Sequence, residues 1–382
     1  MEQLKVPCVV YRGGTSRGLF FHEKDLPKDQ SLRERIFLKG IGAEDASHVN
    51  GLGGGTSHTS KVVIINKSSR PEMDVDYTFV QLGIGSDVVD FEGTCGNLMA
   101  AVGAFAVDEG LVSVFNEDKF TKVNVWNTNI DKMLQIKVPL DKGMAKVIGD
   151  YSMAGVKDTG AKISIDVKNP GGGKTGQTLP LNAKSTLTIG EINFDYSFTD
   201  IVNPFVYVKA EDLALTGKEP NEEILKRPTI VSTLEKIREQ VAVKSGLAPN
   251  IEEARNKYVA LPKVSFVSEP KDYRTSTSEL IKKEDYDILA RMTSVKKLHR
   301  TFAVSGLLNL AGACLLKGTI PNEISGLSST EGEQIIRIGH PEGIATIRVK
   351  KSPNKQEIEY VGLDRTARRI MAGDLYTPLS SL

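Results

Sequence analysis

The chain has 382 residues, past the size at which a single hydrophobic core usually stops growing, so two domains are expected. Hydrophobic residues make up 40% and charged residues 25%, ordinary values for a folded soluble protein. Lys plus Arg total 49 against 48 Asp plus Glu, a balance that argues against nucleic acid or an anionic membrane as a partner. A local basic pocket for a small anion stays open, because it needs only a few groups.

No apolar run reaches the length of a membrane span, and residues 1–11 lack the apolar core and small-residue cleavage site of a secretory signal. Cys8, Cys95 and Cys314 are odd in number and widely scattered, so no disulfide framework is expected and a reducing cytoplasm is the simplest compartment. No Cys/His cluster has zinc spacing and no acidic loop has calcium spacing, so neither a metal nor another cofactor is expected.

In chain order, residues 6–11 read as a strand, Arg12-Gly13-Gly14-Thr15-Ser16 as a turn and 18–21 as the returning strand. Residues 31–39 look helical. A loop, Gly51-Leu52-Gly53-Gly54-Gly55-Thr56-Ser57-His58-Thr59-Ser60, then feeds a β-branched strand over 61–65. Another strand covers 76–82. Thr94-Cys95-Gly96-Asn97 leads into an apolar, small-residue helix over 98–107 that stops near Gly110. Short strands fill 123–139 and 161–167, and Asn169-Pro170-Gly171-Gly172-Gly173 is a turn.

Strands follow at 185–189, 194–198 and 205–209, the last after Asn203-Pro204. Helices are expected at 232–245 and about 278–293, with a strand at 263–267 between them. A third helix-bearing region covers 299–316, and three strand-like runs close the chain. The pattern is α+β. Cys95-Gly96 and Ser305-Gly306 each open a small-residue apolar helix that ends at a glycine, which suggests two similar domains.

Cys95 is the first candidate for chemistry. A thiol at a helix start faces backbone N–H groups and the positive end of the helix dipole, and both favour the thiolate. A buried core cysteine is the plain alternative at that position, and for Cys8 and Cys314, inside apolar elements, the core reading wins. Lys61 is the second candidate. It stands where a polar loop meets an apolar strand, and desolvation there would lower its pKa towards that of a usable base. The plain alternative is a lysine that reaches back to water.

The loop before Lys61 fails as a phosphate loop, because Ser60 precedes the lysine and a strand follows it; the glycine cluster fails as a dinucleotide fingerprint for the same reason. Arg12 to Arg17 gathers hydroxyls, backbone donors and two guanidinium groups round one turn, which suits carboxylate binding. An ordinary hairpin with solvated arginines has the same composition. His340 reads as a turn histidine, His299 as a cap or ligand, and no nucleophile-elbow motif occurs.

These residues resemble the 2-methylaconitate isomerase (PrpF-like) family, whose relatives include methylitaconate and aconitate isomerases and oxalomesaconate tautomerase. The resemblance rests on Arg12-Gly13-Gly14-Thr15-Ser16, Gly51-Leu52-Gly53-Gly54 with Thr59-Ser60-Lys61, and Cys95-Gly96-Asn97. It continues through Asn203-Pro204, His299, Gly318-Thr319, Gly339-His340-Pro341 and Arg365-Thr366-Ala367-Arg368-Arg369, in order along nearly the whole chain. It implies a diaminopimelate-epimerase-like fold of two pseudo-symmetric domains, 1–183 and 184–362. Each wraps a mixed or antiparallel sheet round a central helix, the active site lies in the interdomain cleft, and the tail 363–382 returns to the first domain.

The resemblance also implies Lys61 as catalytic base, Cys95 as its partner and Ser16 beside them. Arg12, Thr15, Thr59, Ser60, Gly96, Asn97, Asn203, Ser305, Gly306 and His340 are its substrate-binding candidates. One departure matters. Epimerases of this fold place a second cysteine where this chain has Ser305, so a lysine-centred proton shift is expected rather than two-thiol racemisation. The expected activity is a cofactor-independent shift of a C=C bond, by allylic proton transfer or cis–trans isomerisation, in a small unsaturated di- or tricarboxylate.

A non-catalytic carboxylate-binding or accessory protein is the second reading. A cysteine-nucleophile hydrolase, lacking an evident paired histidine, is the third. The sequence does not name the substrate, and a homodimer is a prior rather than a reading of these residues.

Overall fold

The structure is a computed structural model and describes residues 2–153, 155–294, 297–328 and 332–381. The chain divides into two compact units, Met1–Asp166 with Asp364–Leu382, and Val167–Leu363. The first crossing falls at 166/167, ahead of the 183/184 boundary drawn from sequence. The Asn169–Gly173 turn belongs to the second unit because its backbone is tied there: Gly172 N–H donates to the Asp200 carbonyl (2.8 Å), and Val202 N–H to that of Pro170 (2.8 Å).

The first unit contains β1 (Gln3–Gly13), β2 (Ser16–His22), α1 (Gln30–Ile41), β3 (Lys61–Lys67), β4 (Val75–Leu82), α2 (Met99–Asp108), β5 (Phe120–Asn127) and β6 (Lys132–Asp141). Pairing runs β1–β2 antiparallel, β2–β3 parallel, β3–β4 antiparallel, β4–β5 parallel and β5–β6 antiparallel. The side-chain period of two sends the apolar residues of each strand to both faces, and both are covered. Val6, Cys8, Val10, Val62 and Ile64 pack with Ile36, Phe37 and Ile41 of α1. On the other face, Tyr11 and Phe20 meet Phe105 of α2, with ring centroids 6.0 and 5.6 Å apart.

A helix that is apolar all round must be central, and every residue of α2 from Met99 to Val107 is buried. Gly103 lets it approach the sheet: a Cβ there would lie 2.5 Å from Ile136 Cγ2.

The second unit contains β7 (Ser185–Ile189), β8 (Ile192–Ile201), β9 (Asn203–Lys209), α3 (Pro228–Lys244), β10 (Lys263–Ser268), β11 (Ile288–Ser294), α4 (Val304–Cys314), β12 (Glu333–His340) and β13 (Gly343–Lys351). From β8 onward the pairings are antiparallel, parallel, antiparallel, parallel and antiparallel. This is the order found in the first unit from β1 onward. The helices fall at matching places, α3 like α1 and α4 like α2, and α4 is buried from Ser305 to Cys314. Even the flanking strand is repeated: β7 lies antiparallel to β8, and the C-terminal strand β14 (Ala367–Pro378) lies antiparallel to β1. The fold is α+β, a sheet wrapped round a central helix in each unit.

One expected helix is corrected. Residues 278–293 are not helical: Ser278 sits at φ +67°, Leu280–Ile281 pair antiparallel with Tyr273–Arg274, Lys283–Asp285 make one 3₁₀ turn, and β11 begins at Ile288. Ile288 and Leu289 pair with β12 while Phe266 pairs with Arg291, so sheet hydrogen bonds override a helical spacing of apolar residues. The closing run is four strands rather than three, because Ile358–Arg365 and β14 are separate elements.

Candidate active site

Two turns of the first unit lie against each other because glycine permits it. A Cβ on Gly13 would sit 2.6 Å from the Asn97 carbonyl oxygen, and one on Gly14, at φ +51°, 2.3 Å from Asn97 Oδ1. This close approach sets the Thr94-Cys95-Gly96-Asn97 segment on the β1–β2 hairpin. Asn97 Nδ2 donates to Thr15 Oγ1 at 3.0 Å, and the Cys95 thiol donates to Ser16 Oγ at 3.8 Å. The Cys95 carbonyl accepts the Met99 N–H (3.2 Å), so α2 begins from this turn. Ser16 is buried and Cys95 half-buried.

Gly18 brings β3 close in the same way, since its Cβ would lie 3.0 Å from the Lys61 carbonyl oxygen. Lys61 is the first residue of β3 and the cross-strand partner of Gln81 on β4. Val62 and Ile64 point towards α1, so alternation turns Lys61, Val63 and Ile65 the other way. The lysine does not reach water: it is 8% exposed, and Nζ donates to Gln81 Oε1 at 2.5 Å. The Gln81 amide is oriented from behind, because its Nε2 donates to the carbonyls of Ser60 (2.9 Å) and Leu82 (3.2 Å). Burial lowers the Lys61 pKa from its ordinary 10.5, and a charged Cys95 opposes that shift. The Phe79 ring, 5.0 Å from Nζ, also favours the ammonium.

The other two thiols are core residues. Burial pushes both Cys8 and Cys314 up to about 12, which leaves Cys95 as the accessible one.

The remaining candidates divide. Arg12 ties its own turn to the residue before β14: its Nη1 donates to the Gly14 carbonyl (2.9 Å), the Thr366 carbonyl (3.0 Å) and Thr366 Oγ1 (3.0 Å). Arg17 braces the glycine-rich loop through the carbonyls of Leu52 and Gly53. Ser60 Oγ donates to the Thr56 carbonyl at 2.7 Å, and Thr59 Oγ1 also turns to Thr56. Gly96 is buried inside the Cys95 turn.

In the second unit, Asn203 and the α4 start at Ser305-Gly306 share a neighbourhood. Asn309 of α4 donates to the Asn203 carbonyl (2.8 Å), and a Cβ on Gly306 would meet the Phe205 ring at 2.5 Å. His340 has different neighbours, since its N–H donates to Tyr273 Oη and its Nδ1 accepts from Glu342 N–H. His299 caps a local turn by accepting the Thr301 N–H at 3.2 Å.

Two residues of this site went unassigned from sequence. Gln81 could have been found only through the strand register. Arg365, from the distant end of the chain, donates through Nε to Asn97 Oδ1 (3.0 Å) and through Nη1 to the Asp364 carbonyl (2.8 Å).

Residues 3–378 match the family model described as PrpF protein. The chain is 38% identical to 3-methylitaconate isomerase of Eubacterium barkeri, covering 100% of this chain and 99% of that one. It is 34% identical to 2-methyl-aconitate isomerase of Shewanella oneidensis, with 98% of each covered. Among solved structures it resembles methylitaconate-delta-isomerase at a TM-score of 0.88 and 38% identity, covering 100% of this chain and 97% of that one. A hydroxyproline epimerase from Agrobacterium vitis, 12% identical with 98% of this chain and 93% of that one covered, shares the fold at a TM-score of 0.51.

Proposed function

Since the chain belongs to the PrpF family and is an isomerase, we propose that it moves a carbon–carbon double bond within a small unsaturated di- or tricarboxylate by allylic proton transfer, with Lys61 as base. The observation that carries this reading is the buried Lys61 amine, its pKa lowered by desolvation, within electrostatic reach of the half-buried Cys95 thiol. A neutral amine removes a proton from the carbon next to the double bond and a carboxylate. The electron pair delocalises into a dienolate. A proton returned to the far carbon by the lysine ammonium or the Cys95 thiol completes the shift, and no atom is lost or gained.

General acid–base catalysis supplies roughly 10²–10⁴-fold, so stabilisation of the dienolate must supply much of the rest. N–H donors of the Gly96-Asn97 turn and the Ser16 hydroxyl are the groups assigned to that task. Ser16 also holds the thiol, so one hydroxyl links the acid to the anion site.

Methylitaconate, 2-methylaconitate, aconitate and oxalomesaconate are the substrate candidates. The test is a proton-NMR screen of the purified protein against the four acids in deuterated water. Wild-type protein should wash deuterium into the allylic carbon of one of them, and Lys61→Ala should lose that exchange while still binding. Exchange retained by Lys61→Ala would exclude Lys61 as the base.

A further inference from the structure

Several cations of the first unit, Lys61 among them, have no counter-ion among the described residues, and Arg365 is the one held against the Cys95 turn. Arg369 pairs with Glu109 (2.6 Å), Lys5 with Asp374 (2.9 Å) and Arg70 with Asp76 (2.9 Å). Arg12 makes no ion pair among the described residues either; its Nη1 is held by the Gly14 carbonyl and by Thr366, and the anion within its electrostatic reach is Asp158 rather than Cys95. Arg365 forms no ion pair among the described residues, although its side chain is only partly exposed. Its Nε and Nη1 are held by the Asn97 side chain and the Asp364 carbonyl, and Nη2 makes no hydrogen bond among the described residues. The Asp364 carboxylate lies within electrostatic reach and raises the Arg365 pKa, but its ion pair is with Lys162, at 3.8 Å. A guanidinium withdrawn from water without an anion in direct contact is costly, and a bound anion relieves the cost.

The surroundings say where that anion would lie. Asn97, gripped by Arg365 Nε, is two residues from Cys95 and hydrogen-bonded to Thr15. A charged Cys95 raises the pKa of both Arg365 and Lys61, so one thiol lies within electrostatic reach of both cations. Two of the three ends of the guanidinium are fixed by neutral acceptors, which sets its plane and leaves the third free. That arrangement suits a carboxylate.

Resting on the function proposed above, we infer that Arg365 binds a carboxylate of the substrate, the group conjugated with the developing dienolate, beside Lys61 and Cys95. This moves the anion-binding role given to Arg12 on composition to an arginine contributed by the other end of the chain. Arg12 keeps a bracing role.

The test is steady-state kinetics on the acid that the wild-type enzyme turns over, together with thermal-shift titration by tricarballylate, a saturated tricarboxylate that cannot isomerise. Losing a charge-assisted bond to a carboxylate should raise KM about 10- to 100-fold in Arg365→Gln. Tricarballylate should stabilise wild type and Lys61→Ala but leave Arg365→Gln unshifted. Free guanidinium ion should restore part of the loss in Arg365→Ala. Should Arg365→Gln not fold, Arg365→Lys keeps the charge but loses the planar fork, and a KM raised at least about tenfold is expected.

An Arg365 variant with wild-type KM and tricarballylate binding, whatever its kcat, overturns the inference and leaves Arg365 as a brace for the Asn97 turn. Failure of the function itself would look different, because wild-type protein would then turn over none of the acids.

Discussion

Lys61 sits at the end of a strand that its apolar neighbours bury, and its amine is placed by a cross-strand glutamine rather than by a counter-ion. The lowered pKa has two consequences. The acid limb of kcat/KM against pH should report deprotonation of Lys61 and fall below 10.5, disappearing in Lys61→Ala, where kcat drops by at least about 10²-fold. Stability should respond as well. The unfolded chain binds the lysine proton up to 10.5 and the folded chain releases it earlier, so stability gained from deprotonation grows between the two values. Lys61→Met should therefore melt higher than wild type at neutral pH, with the gap narrowing as pH rises towards 10.5, read by calorimetry across that range. A constant gap would show that packing alone separates the two proteins.

Thiol chemistry offers a second check at the same scale. The thiolate is the reactive form, and burial holds Cys8 and Cys314 near 12. Brief treatment with iodoacetamide should label Cys95 alone, and Cys95→Ser should take up none until denatured. Peptide mass mapping that finds Cys8 or Cys314 labelled in the folded state would contradict their burial.

At the scale of elements, the site is made by two glycine turns meeting, and the cost of disturbing them can be stated. Gly13→Ala puts a methyl 2.6 Å from the Asn97 carbonyl, against backbone that cannot rotate aside. The Cys95–Asn97 turn must shift, so kcat should fall by more than about tenfold, misplacement of this order being expensive in a preorganised site. Gly373→Ala, on β14 where a Cβ would meet nothing within 4 Å, is the control and should leave both kcat and melting temperature unchanged.

The same scale explains what the sequence could and could not show. The first hairpin, the strand opening at Lys61 and the buried helix after Cys95 were legible because each carries a local signal: a glycine turn, a β-branched run, an all-apolar helix. Residues 278–293 were not, because their helical spacing of apolar groups competes with pairing to β10 and β12, which lie far away in sequence. Gln81 and Arg365 stayed hidden for a related reason. Each acquires its task from a partner 20 or 268 positions away, a relation that register creates and composition does not. Arg12 misled in the opposite direction: its composition suited an anion, yet its bonds go to the Gly14 carbonyl of its own turn and to Thr366.

For the molecule as a whole, the repeated order of strand pairings makes each unit a complete sheet round its own helix, with its own apolar core. The first unit is nevertheless assembled from both ends of the chain. β14 pairs with β1 from Gln3↔Pro378 to Gly13↔Ala367, and its Leu375 joins the core that holds Val6, Phe21 and Ile36. Gly14 N–H donates to the Thr366 carbonyl at 2.9 Å, so the same segment steadies the turn that carries Ser16. Removing residues 366–382 would strip a full strand of hydrogen bonds from β1 and open the buried side of α2, a loss no local repair can offset. The second unit keeps its own sheet and core. Hydrogen exchange on a chain ending at Arg365 should therefore show protection gone from β1 to β6 and retained from β7 to β13, with isomerase activity abolished. Uniform protection across both units would mean that the first unit closes its sheet without β14, and the repeat would then have to be read as two self-sufficient halves.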